Sequence, residues 1–90
     1  MSDKLLNSAK KFLNNKSDAE IFADEFISQW KQERDNGAAL YDAPQISEAL
    51  SSIFCVADMF NPHEDRESYE FNEPKLRSET EKILKKARIL

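Results

Sequence analysis

Apolar residues recur along this chain at spacings of three and four, and the recurrence predicts four helices. Leu5, Leu6, Ala9, Phe12 and Leu13 share one stripe of a first helix that Ser2 can cap, with Lys4, Lys10 and Lys11 on its wet face. Asn14, Asn15 and Lys16 end it. Ser17-Asp18-Ala19-Glu20 then reads as a capping box, in which serine and glutamate side chains each satisfy the other's backbone N–H. A second helix follows, from about Asp18 to Arg34, with Ala19, Phe22, Ala23, Phe26, Ile27 and Trp30 on its core face and a stop signal at Asp35-Asn36-Gly37.

Residues 37–45 form a connection in which Leu40 and Tyr41 are expected to tuck against the core and Pro44 pre-sets the start of a third helix. That helix carries Ile46, Leu50, Ile53, Phe54, Ala57 and Phe60, widened by Val56, and is expected to be the most buried of the four. Asp58 stands five residues past Ile53, a net rotation of about 140° at 100° per residue, so its carboxylate points away from the core. Pro62 halts the helix. Asn72, Glu73 and Pro74 read as N-cap, N1 and N2 of a last helix with Leu76, Thr80, Ile83, Leu84 and Ala87 buried. Lys82, Lys85, Lys86 and Arg88 near its carboxyl end suit the helix dipole. Four helices with short connections predict an all-α, antiparallel four-helix bundle.

Composition narrows the picture. Ninety residues spanning 1–90 read as one domain, able to bury about 60 to 65% of the surface its unfolded chain exposes. One glycine and three prolines favour helices over a sheet with tight turns. The single cysteine, Cys55, cannot form an internal disulfide and is expected to be a small buried hydrophobe. Neither a signal peptide nor a long uncharged apolar run is legible, so the chain is expected to be cytoplasmic, with no membrane partner. A formal charge of −4 argues against binding nucleic acid and for a basic partner.

The acid is concentrated. Between Asp58 and Glu73, six carboxylates face Arg66 alone, a net −5 with His63 neutral, set around Phe60, Tyr69 and Phe71. Repelled carboxylates cost stability and are tolerated most easily where a basic partner uses them, although a solvated helix connection would carry a similar charge run. Catalytic signals are missing. His63 is a lone imidazole, whereas a zinc or iron site needs three or four convergent ligands, so no metal and no cofactor are expected. Phosphate loops, nucleophile elbows and Ser-His-Asp sets are absent from the sequence. Asp58 and Glu64 could be paired as an acid and a base only in a cleft that so small a bundle rarely offers. The chain is therefore not expected to be an enzyme.

The segment I-F-C-V-A-D-M-F-N-P-H-E-D-R-E-S-Y-E-F-N-E-P-K-L-R-S-E-T-E-K-I-L resembles the second half of the colicin D immunity protein family, which protects bacteria against tRNase toxins. The shared frame is Asp58, Phe60, Pro62, Asp65-Arg66, Tyr69-Glu70 and the helix opening at Glu73; A-K-K-F-L in the first helix and Phe22 to Phe26 in the second are similar more loosely. The resemblance implies an acidic helical protein that binds the C-terminal nuclease domain of a cognate toxin one to one, its carboxylates standing in for RNA phosphates. It also implies a contact set of Asp58, Phe60, Asn61, His63, Glu64, Asp65, Glu67, Tyr69 and Glu70, with Asp58 nearest a catalytic Lys or His of the toxin. Asp65-Arg66 is open to a second reading, as an internal ion pair that shapes the loop. The chain departs from the family pattern at Asn61 and His63, where carboxylates can stand, which implies a different toxin from the best-known one. The alternative function is an acidic adaptor for a basic partner that is not a nuclease.

Overall fold

The computed structural model describes residues 3–15, 18–37 and 43–88. Within them lie α1 (Asp3–Leu13), α2 (Ala19–Asp35), α3 (Pro44–Asp58) and α4 (Glu73–Lys86), and no strand. Each helix packs on the next and α4 returns to α1, closing the expected antiparallel four-helix bundle. The Cα radius of gyration, 12.5 Å, matches the roughly 12 Å of a packed chain this long.

The helix ends follow local chemistry. Asn15 (φ 61°) and Gly37 (φ 72°) take the left-handed conformation just past α1 and α2, which Asn tolerates and Gly adopts freely. Pro44 is the first residue of α3, and the Asn72 side chain caps α4 by accepting from the Lys75 N–H at 3.0 Å. Two ends differ from expectation. Asp18, not Ser17, is the N-cap of α2 and makes no side-chain capping bond, while Ser17 lies outside the described residues. The expected positions of Ser2, Leu40 and Tyr41 also lie outside them. In addition, α3 stops at Asp58, before Phe60: Pro62 disfavours helical backbone at Asn61, and the Met59 carbonyl is taken by the Phe71 N–H at 2.8 Å.

The core carries its largest rings on α1 and α2. Phe12 stacks on Phe22 with centroids 4.4 Å apart and planes 2° from parallel, and Phe26 follows at 5.6 Å from Phe22. Leu5, Ala9, Leu50, Ile53, Leu76 and Leu84 close around them. This corrects the expectation that α3 is the most buried helix: its share is Ala49, Leu50, Ile53 and Ala57. Phe54, one step of about 100° off that stripe, is only partly buried and stacks on Trp30 at 4.1 Å. Cys55 is exposed, not buried. It stands two residues from both Ile53 and Ala57, about 200° around the helix from the core stripe.

Two polar groups enter the interior. Thr80 is fully buried, as its place on the α4 stripe requires, and its hydroxyl has no hydrogen-bond partner among the described residues. Glu33 is only 9% exposed, with one carboxylate oxygen accepting from the Gln29 amide at 2.9 Å. A longer tie joins the first and last helices: the Arg77 guanidinium donates to the Phe12 carbonyl at 2.6 Å and lies 4.3 Å over the Phe12 ring. Arg77, Phe12 and Phe22 thus form one stack through α4, α1 and α2.

Candidate binding surface

Between α3 and α4 the chain makes a closed loop whose neck is two backbone bonds. The Phe71 N–H donates to the Met59 carbonyl at 2.8 Å and the Asn61 N–H to the Phe71 carbonyl at 2.9 Å, pairing Phe60 with Phe71 as an isolated parallel bridge. Phe60 packs on the core and anchors the neck from inside; Lys75 sits 5.6 Å over the Phe71 ring outside it. Pinning both ends removes the loop-closure part of the freedom of the ten residues between them, about 2 kcal/mol by (3/2)RT ln n, and the side-chain bonds inside the loop restrict it further. The result is a shaped surface, not a slack tether.

Inside the loop, one carboxylate does most of the holding. A single oxygen of Glu70 accepts from the Glu67 N–H at 2.8 Å and from the Asn61 side-chain amide at 3.2 Å. Asn61 uses its other end as well, its oxygen accepting from the His63 N–H at 3.0 Å. These bonds stabilise the ionised form, so the Glu67 N–H first and the Asn61 amide second, with Arg66 nearby, hold Glu70 below the ordinary carboxylate range despite some desolvation. Arg66 donates to the His63 carbonyl at 2.8 Å and makes no ion pair with Asp65, which answers the open reading of that dipeptide.

The remaining acid points outward. Asp58, Glu64, Asp65, Glu67 and Glu73 are all exposed, as is His63. Tyr69 is 66% exposed, far more than a tyrosine serving only the fold would be. Among the described residues, every ion pair lies elsewhere: Arg34 with Asp35, Lys75 and Lys82 with Glu79, and Lys85 with Glu81. The surface carboxylates of the loop are left unneutralised.

Asp58 does not stand alone. It lines a groove of about 310 Å³ with Glu20 and Asp24 of α2, floored by Ile27 and Phe60 and rimmed by His63. Glu20, Asp24 and Ile27, at i, i+4 and i+7, occupy one stripe of α2 next to the buried one. The like-charged i, i+4 pair costs about 0.2–0.5 kcal/mol, and Glu20 in the first turn recovers a similar amount from the helix dipole. Glu20 and Asp24 were legible as acidic residues beside the core stripe. Their placement against Asp58 was not, because it depends on how α2 packs on α3.

The nine sequence-predicted contact residues therefore divide by position. Asp58, Phe60 and His63 border the groove; Glu64, Asp65, Glu67 and Tyr69 form the exposed crest of the loop; Asn61 and Glu70 are tied to each other beneath it.

No curated protein matches the chain. The family model for bacterial self-protective colicin-like immunity matches residues 1–87, nearly the whole length. A four-helix chain whose acid gathers on one pinned loop and the groove beside it thus belongs to the family of colicin-like immunity proteins.

Proposed function

We propose that the protein binds the C-terminal nuclease domain of a cognate bacterial tRNase toxin, one to one, and inhibits it by filling its basic active-site groove with the acidic loop surface, while the groove at Glu20, Asp24 and Asp58 receives basic side chains from its edge. A nuclease that cuts tRNA must present Lys, Arg and His to the phosphate backbone. An acidic plug meets that field already made and associates quickly, toward about 10⁸ M⁻¹s⁻¹ at low salt. Tyr69 and the apolar floor of the groove supply contact area that slows dissociation, while the carboxylates set register.

The observation that carries this reading is the distribution of ion pairs. Glu79 and Glu81 of α4 are answered by its own lysines, whereas Glu73, the loop crest and Asp58 are in no ion pair among the described residues. Unanswered acid on an ordered surface is what a cationic partner needs.

The test takes the product of the reading frame immediately upstream, asks whether it cleaves tRNA, and titrates that cleavage with the purified chain. Activity is expected to vanish near one equivalent. Asp58→Lys is expected to weaken inhibition by several kcal/mol with helical content unchanged, since it forces a like charge against the basic site. Full inhibition by that variant would remove Asp58 from the contact, and no inhibition by the unaltered chain would remove the tRNase reading.

A further inference from the structure

Asn61 and Glu70 belong to the acidic segment, yet their polar atoms are engaged with the loop itself. The Asn61 amide donates to Glu70 while its oxygen accepts from the His63 N–H, and Glu70 also accepts from the Glu67 N–H. Two side chains nine residues apart thus bind the rising limb of the loop to the falling one, just above the backbone neck at Phe60 and Phe71. We infer that Asn61 and Glu70 are positioning residues, a latch that fixes the loop crest in its toxin-binding shape. Resting on the reading proposed above, this assigns them a role distinct from contact with the toxin.

The chemistry of the pair makes the inference sharp. The latch needs one donor and one acceptor facing each other, so its geometry, and not the negative charge of Glu70, is what binding requires. An aspartate at 61 keeps the acceptor for His63 but loses the donor, setting two carboxylates against each other. A glutamine at 70 keeps an oxygen that can accept from both the Glu67 N–H and the Asn61 amide, so Glu70→Gln preserves the latch and removes only its charge. Because one Glu70 oxygen serves both donors, the double substitution Asn61→Asp with Glu70→Gln relieves the repulsion but cannot offer the new aspartate a donor in that oxygen's place.

Four proteins test this: the unaltered chain, Asn61→Asp, Glu70→Gln and the double variant. Each is measured for affinity to the toxin domain identified by the tRNA-cleavage test and, alone, for hydrogen exchange at the Glu67 amide. Asn61→Asp adds a negative charge to an acidic surface, yet it is expected to bind about tenfold more weakly and to speed exchange at Glu67. Glu70→Gln, which keeps the shared acceptor, is expected to stay within about twofold of the unaltered chain in both properties, and the double variant to remain impaired because it lacks the Asn61 donor. Equal or tighter binding by Asn61→Asp, or a loss on Glu70→Gln as large as that of Asn61→Asp, would overturn the latch. If exchange follows the latch while none of these substitutions moves affinity and Asp58→Lys still does, the positioning role falls and the binding surface stands. If Asp58→Lys and the latch variants all leave affinity unchanged, both fall.

Discussion

At the scale of single residues, Glu70 ties the loop to pH. Its carboxylate is held low by the Glu67 N–H and the Asn61 amide, and those of Glu79 and Glu81 are held low chiefly by hydrogen bonds from Lys75 and Lys85. A group whose pKa is depressed on folding adds stability that is complete above its unfolded value and is lost as pH falls through the folded one. For these glutamates the loss begins near pH 4.3 and continues below it. Titration by NMR is expected to place the Glu70 midpoint below the ordinary value of a glutamate. Acidification should also speed exchange at the Glu67 amide before the helices unfold. A Glu70 midpoint at or above the ordinary value would show that the bonds to Asn61 and Glu67 do not persist in solution.

At the scale of elements, the stripes of apolar residues carried most of the fold. The order of the helices, Pro44 opening α3 and Asn72 capping α4 all follow from short-range chemistry that a sequence displays directly. The departures have local geometric causes. Glu33 stands seven residues past Phe26, about 20° off the same stripe, so its burial was available from the period had the stripe been followed past Trp30. Exposure of Cys55 follows from the same angular arithmetic that placed Asp58 outside. What no periodicity can disclose is pairing across a loop or between distant helices: Asn61 with Glu70, Glu20 and Asp24 with Asp58, Arg77 with Phe12.

That last pair gives a prediction at this scale. Arg77 gives a second donor to the Phe12 carbonyl, which also accepts from the Asn15 N–H at 3.1 Å, and its planar guanidinium lies against the Phe12 ring, so one side chain fastens α4 to α1. A charge-assisted hydrogen bond to a partly buried carbonyl contributes about 1.5–3 kcal/mol. Arg77→Ala is expected to lower the unfolding free energy by about that amount in urea, and Arg77→Lys to recover only part of it, because an ammonium cannot both donate and lie flat on the ring. A change within about 0.5 kcal/mol for Arg77→Ala would show that the tie is incidental.

At the scale of the whole molecule, charge is segregated more strongly than a net of −4 suggests. The outer face of α4 pairs Glu79 and Glu81 with Lys75, Lys82 and Lys85, so its field is short-ranged. The loop crest and the edge where α2 meets α3 expose Asp58, Glu64, Asp65 and Glu67 beside Glu20 and Asp24. Such a surface steers a basic partner from beyond contact distance, and its reach contracts to about 8 Å at physiological salt. If net charge alone mattered, any acidic position would serve; a plug shaped for a basic groove needs its carboxylates on the loop crest.

The decisive comparison holds the change in net charge constant and moves its location. Glu64→Lys with Asp65→Lys alters the loop crest, and Glu79→Lys with Glu81→Lys alters α4 by the same amount. Association with the proposed toxin partner is followed by stopped flow from low to high salt. The loop variant is expected to associate at least about tenfold more slowly at low salt and to lose most of its salt dependence, with the α4 variant close to the unaltered chain. Equal slowing by the two variants, or greater slowing by the α4 variant, would contradict the claim that the pinned acidic loop is the surface this protein offers to a toxin.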